Sequence, residues 1–128
     1  MYYQSTITTP RNTTEANAQE TELVIAKGII TRVMVGFPPG PSGLCHVQIR
    51  DKGWQIAPWK INEDFAWDNF VFQMDMRYPM VAEPYTLQVL TWNLDDTFEH
   101  VVLIGIEMIE GSGVEDRLLA QYPLAEGA

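Results

Sequence analysis

The sequence predicts an all-β fold: an antiparallel β-sandwich, jelly-roll-like, of seven to eight strands with an extended N-terminal arm. Three observations lead there. Apolar residues recur with period two through Ile29–Phe37, Leu44–Arg50, Phe70–Met76, Tyr85–Trp92 and Phe98–Ile109, the spacing that places alternate side chains on one face of a strand. Clusters of Pro, Gly, Asn and Asp separate these runs. No long segment repeats its apolar residues at the helical period. The chain therefore divides into an arm over 1–21, a sandwich over 22–112 and a C-terminal tail over 113–128.

The first 21 residues are rich in Ser and Thr, with Tyr2, Tyr3 and Ile7 as apolar exceptions, too few to order the segment on its own. Two readings stand, a disordered leader or an extended arm lying on a neighbouring subunit; β-favouring Thr around those anchors suits the arm, and twenty extended residues reach roughly 65 Å. Leu23–Ala26 is a short apolar run. Beyond it, Ile29, Val33, Val35 and Phe37 fall on one face of a strand and Ile30, Arg32 and Met34 on the other. Phe37-Pro38-Pro39-Gly40-Pro41-Ser42-Gly43 ends that strand in a stiff loop, because prolines lack an amide donor and fix φ. Leu44–Arg50 and Trp54–Ile56 read as a hairpin about Asp51-Lys52-Gly53. Ala57–Asn69 fits neither period and reads as a long aromatic connection carrying Trp59 and Trp67. Phe98–Ile109 is apolar on both faces, which marks a central strand; its β-branched content opposes helix, and Gly105 leaves room for a bulge. A short helical or irregular tail is expected over Val114–Leu119.

With 128 residues and an ordinary balance of apolar and charged side chains, the chain makes one domain. No apolar run approaches the roughly 18 residues needed to cross a bilayer, and no basic-then-apolar leader is present, so neither a membrane partner nor a secretory address is expected. Asn12-Thr13-Thr14 matches the glycosylation sequon by chance in that setting. Residues 1–60 sum to +2 and residues 61–128 to −11. An acidic surface without clustered Lys and Arg disfavours nucleic acid; the acids either simply solvate the surface or, with opposite signs on the two halves, favour head-to-tail contacts between identical subunits and hence a homo-oligomer.

The residues that carry chemistry are sparse. Cys45 is alone, and only His46 and His100 accompany it as soft ligands, so no disulfide, metal or cofactor is expected. Cys45 and His46 are neighbours on a strand and point to opposite faces, which excludes a nucleophile–base pair. Asp64, Asp68, Asp95 and Asp96 supply the carboxylates that sugar chemistry uses, and Trp59, Trp67 and Trp92 the stacking faces, but Asp and Asn equally close turns on their own backbone. Asn93–Asp96 lacks the spaced oxygens of a calcium loop, and Phe37–Gly43 lacks the Lys and helix of a phosphate loop. No catalytic residue is assigned. A glycan-binding module using Trp59, Trp67, Asp64 and Asp95 stands as the alternative function.

The phrases Gly-Phe-Pro-Pro-Gly-Pro-Ser-Gly-Leu, His-Val-Gln-Ile, Ala-Pro-Trp, Asp-Phe-Ala-Trp-Asp and Thr-Trp-Asn-Leu-Asp-Asp-Thr-Phe, with Thr-Pro-Arg-Asn-Thr-Thr near the start, cover about two thirds of the chain. Together they resemble small proteins from the structural gene clusters of tailed bacteriophages. The resemblance implies a non-enzymatic virion component, a capsid decoration (cement) or neck protein, located in the particle and partnered by other virion structural proteins such as the major capsid or neck protein. It brings no catalytic residue with it. The contact residues expected on this reading are Tyr2, Tyr3, Ile7 and Pro10 in the arm and Phe37, Pro38, Pro39 and Trp59 in the loops.

Overall fold

The expected central strand is β8 (His100–Glu110), and it is central in its sheet, with a strand on each edge. In the computed structural model, which describes residues 1–110, β3 (Gly28–Phe37) lies on one flank and β1 (Tyr2–Thr9) on the other. The tail expected over Val114–Leu119 lies outside the described residues. The remaining strands are β2 (Gln19–Val24), β4 (Cys45–Asp51), β5 (Trp54–Ala57), β6 (Phe70–Met80) and β7 (Thr86–Asn93). They form two antiparallel four-stranded sheets, in the orders β1-β8-β3-β6 and β2-β7-β4-β5. Every connection except the β4–β5 hairpin crosses between the sheets, which is the winding of an eight-stranded jelly roll.

Between the sheets, alternate residues meet in one core. Val33, Val35, Val102, Ile104, Ile106 and Met108 of the first sheet face Cys45, Val47, Ile49, Leu87 and Val89 of the second, all of them buried. Ile104 is fully buried, and truncation of such a side chain to Ala removes on the order of 2–5 kcal/mol. Thr9 and Thr91 bridge the sheets at one side through their hydroxyls at 2.8 Å, so two buried polar groups satisfy each other.

Two expectations change. The segment read as a free arm is the edge of the chain's own sheet: Tyr2–Thr9 pair with Glu107–His100, and the Met1 amine and carbonyl exchange hydrogen bonds with Met108, both at 2.8 Å. Counting apolar residues alone missed this. Only alternate side chains of an edge strand need a core, and here Tyr3 and Ile7 supply apolar contact while Thr9 finds a buried hydroxyl partner. The second change is in β3. A bulge between Ile30 and Arg32 breaks the alternation, so Ile30, not Ile29, shares the core face with Val33, Val35 and Phe37. Gly105 sits in regular register opposite Gln4 and Met34 instead of in a bulge. The Tyr2 ring lies across it, close enough that a Cβ there would clash with the phenol.

The register sorts the connections. Thr9, Phe37, Cys45, Phe70, Asn93 and His100 gather at one end, so the loops 10–18, 38–44, 58–69 and 94–99 cluster there. The segments 25–27, 52–53 and 81–85 lie at the other end. A chain beginning at Glu22 would lack β1 and half of β2, leaving an open flank on β8. It should lose near-UV circular dichroism and a cooperative thermal transition; a folded, cooperative truncated monomer would contradict the pairing.

Candidate functional site

The loop end is built by its aspartates. Asp68 Oδ1 accepts the amides of Gly40 (2.8 Å) and Ser42 (2.9 Å), and further bonds from Gly43 N to Trp67 O and from Leu44 N to Pro41 O fix the proline loop from below. Pro38 and Pro39 remain exposed on that clamp, whereas Pro41 is buried. Asp95 Oδ1 accepts the amides of Thr97 and Phe98, and its Oδ2 lies 2.7 Å from His100 Nε2. Asn93 supports the same turn, its Nδ2 donating to Phe98 O and Thr9 O and its Oδ1 accepting the Asp95 amide. Asp96 accepts the Thr97 hydroxyl. Asp64 meets His46 Nδ1 at 2.6 Å, and the His46 ring stacks on Trp92 with centroids 5.2 Å apart.

The candidate aspartates and histidines each have a partner within the chain. His46 and His100 do not meet; each has its own aspartate, and among the described residues no group of three or more His, Cys, Asp or Glu is placed to hold a metal. The Asn93–Asp96 oxygens are engaged by the protein's own donors. Cys45 is fully buried on the core face, away from His46, and burial pushes its thiol up to about 11. The Ser42 amide, with that of Gly40, holds the Asp68 carboxyl below the usual carboxylate range, and the His100 contact with the Thr97 amide does the same for Asp95.

The structure disperses the expected contact residues. Tyr2 is exposed over Gly105, Tyr3 half-buried, Ile7 in the core and Pro10 exposed at the β1–β2 turn. Phe37 is a core residue, set edge-on to Phe72 at 6.1 Å, so of the loop candidates Pro38, Pro39 and Trp59 are the exposed ones. Of the residues of the glycan reading, Trp59 and Trp67 line separate depressions, while Asp64 and Asp95 are bound by histidines.

Two apolar surfaces emerge instead. On the outer face of the first sheet, register places Thr6, Leu103, Gly36 and Val71 in one row across all four strands. Gly36 has no side chain to fill that row. The gap between Leu103 and Val71 opens into a depression of about 570 Å³, bordered by Val101, Phe70 and Pro38 at the loop end. Phe70 and Val71 are about half exposed. The second surface is a groove of about 390 Å³ where the open edges β5 and β6 approach each other. Trp54 and Trp59, 66% and 70% exposed, stand over it with Ile61, while Met76, Arg77 and Tyr78 line its β6 side. Gln55 in its lining is consumed by structure, its amide nitrogen donating to Pro58, Lys60 and Glu63 carbonyls and its oxygen accepting the Asn62 amide. Tyr78 is likewise engaged, its hydroxyl donating to Asp51, and burial raises its pKa.

Sequence reasoning missed Trp54, Val71, Val101 and Leu103. A signal for Val71 was present, since it is the lone apolar residue on a strand face otherwise occupied by Gln73, Asp75 and Arg77. Neither a protein-family model nor a curated protein sequence matches the chain.

Two expectations follow from this chemistry. Asp68 and Asp95 release protons more readily folded than unfolded, so they stabilise the fold above about pH 4, and that contribution fades as pH falls through their lowered folded values. Asp95→Asn keeps an acceptor for the turn amides but removes the charge. Its melting temperature should lie below that of the native chain at pH 7, with the gap closing toward about pH 2. A pH-independent gap would assign the loss to geometry alone. Separately, Cys45 should resist alkylation by iodoacetamide at pH 8 until denaturant is added; rapid labelling of native protein would show that the core is open.

Proposed function

We propose that this chain is a non-enzymatic assembly protein of a phage particle, a capsid decoration or neck component that binds neighbouring structural subunits through the outer face of its first sheet. The observation that supports the binding role is the depression floored by Gly36 and walled by Leu103, Val71, Val101 and Phe70. It presents apolar side chains on a sheet face that a soluble monomer would ordinarily cover with polar groups. The setting in a virion rests on the resemblance of the sequence phrases, and a jelly roll is an architecture that capsid and lectin domains both use.

The role of contact passes from the N-terminal segment to this face and to the proline loop beside it. β1 is already paired inside the chain, so Tyr3 and Ile7 are spent on the core. The glycan alternative has less support, because two of its four residues are held by histidines and its two tryptophans belong to different depressions.

Val71→Glu with Val101→Glu places charge on this face at exposed positions without touching the core. Light-scattering mass measured against concentration should show self-association of the native chain weakened roughly tenfold or more in the double variant, with an unchanged melting temperature. Equal association in both would remove this face from the mechanism.

A further inference from the structure

On the outer face of the second sheet, register sets Glu22, Gln88, Arg50 and Gln55 in one row across the four strands. The connection after β5 is tied down beside this row, since Gln48 donates to the Glu63 carbonyl and Gln55 to those of Pro58, Lys60 and Glu63. Arg50 is half-buried there. Its Nη2 donates to Gln48 Oε1 at 2.9 Å, while its Nε is closed off from solvent and has no hydrogen-bond partner. Among the described residues no carboxylate, those of Glu22 and Glu63 included, lies within ion-pair distance of it. Asp51, the next residue, is taken by Tyr78 and Lys52. A guanidinium desolvated on one edge and left without a counter-charge gains from an anion brought to its remaining donors.

Arg50 lines a pocket of about 180 Å³ with Gly53, Trp54, Gln55, Ile61 and Asn62. Trp54, Gln55 and Ile61 also line the tryptophan groove, so the two depressions adjoin. Polarity falls along that path. At the Arg50 end stands Asn62, its backbone amide tied to Gln55 and its carboxamide without a partner among the described residues; past Trp54 and Ile61 the lining is mainly aromatic and aliphatic. We propose that the adjoining depressions bind a small monocarboxylate with a hydrocarbon tail, its carboxylate on the Arg50 guanidinium and its tail laid over Trp54 and Ile61 toward Trp59. Of the cations lining the two depressions, Arg77 is already partnered, so Arg50 supplies the charge, and a single charge matches a carboxylate better than a phosphoryl dianion. A sugar or peptide in the groove would need donors and acceptors there, yet Gln55 and Tyr78 already spend theirs inside the chain, which leaves hydrocarbon as the matching tail. Gln48 holds the guanidinium before any ligand arrives, so little side-chain freedom is lost on binding. The site lies away from the outer face of the first sheet and goes beyond the assembly reading without resting on it.

Titration calorimetry on the full chain with hexanoate, hexanol and acetate separates head from tail. Hexanoate should bind saturably. Hexanol keeps the tail without the charge and acetate the charge without the tail, so each should bind roughly tenfold or more weakly. In the nuclear magnetic resonance spectrum, hexanoate should shift the Arg50 Nε–H and Trp54 indole N–H signals. Arg50→Gln should weaken hexanoate roughly tenfold or more and leave hexanol unchanged, whereas Trp54→Ala should weaken both. Trp54 is exposed and Arg50 makes a single side-chain hydrogen bond, so both variants should fold, checked by circular dichroism and melting. The hexanoate–hexanol comparison uses native protein and decides the matter whatever the variants do. Val71→Glu with Val101→Glu should bind hexanoate as the native chain does, so a failure of the assembly reading and a failure of this site are read separately. The proposal is overturned by an absence of saturable hexanoate binding, by hexanol binding as tightly as hexanoate, or by hexanoate affinity unchanged in folded Arg50→Gln. Loss of hexanoate binding in the Val71→Glu, Val101→Glu protein overturns it as well, because the ligand then sits on the other sheet.

Discussion

A strand that is apolar on both faces constrains everything around it. β8 buries Val102, Ile104, Ile106 and Met108 on its inner face and carries Val101, Leu103 and Ile109 on the outer one, and strands on both its edges pair its backbone groups. β3 takes one side because its own Val33 and Val35 face the same core. The other side falls to the N-terminus, which crosses the molecule to pair from Met1 to Thr9. Once β1 and β8 are joined, the β1–β2 connection is tied to the β7–β8 turn through Asn12, Thr13, Asn93 and Asp95, and the loop end is closed.

The same constraint explains what was legible in the sequence. Strands with an apolar face of three or more residues announced themselves, as in Leu44–Arg50 and Phe98–Ile109. β1 did not, because its buried face mixes Tyr3, Ser5, Ile7 and Thr9, and the buried hydroxyl of Thr9 donates to that of Thr91, 82 residues away. The bulge after Ile30 is equally silent: nothing local to Ile29-Ile30-Thr31 tells which isoleucine enters the core, and the decision comes from pairing with β6 and β8. The carboxylates were visible as candidates for sugar chemistry or for turns; Asp68, Asp95 and Asp96 hold turns, whereas Asp64 binds a histidine. His46 and His100 come from other parts of the chain, and only the fold brings them to Asp64 and Asp95.

Charge shows how a linear reading misleads. The two halves of the sequence differ by sign, but each sheet interleaves strands from both halves, so the halves are not separate surfaces. The asymmetry that survives folding runs from the acidic loop end to the opposite end, where the connections are short. Polar groups near the loops are spent on holding turns, and the apolar groups left outside include Val71 and Val101 on one face and Trp54, Trp59 and Ile61 on an edge. A surface with its polar groups internally satisfied and its apolar ones exposed suits contact with protein better than chemistry on a small substrate.

Amide hydrogen exchange on the isolated full-length chain tests the central pairing most directly. Because Met1 and Met108 form a mutually hydrogen-bonded pair, alternation along an antiparallel ladder aims the amides of Tyr3, Ser5, Ile7 and Thr9 at β8, and those of Gln4, Thr6 and Thr8 away from it. The account predicts slow exchange for the first set, comparable with the core of β8, and fast exchange for the second. Uniformly fast exchange from Tyr2 to Thr9, with the rest of the sandwich protected, would contradict it and return the N-terminus to the role of a free arm.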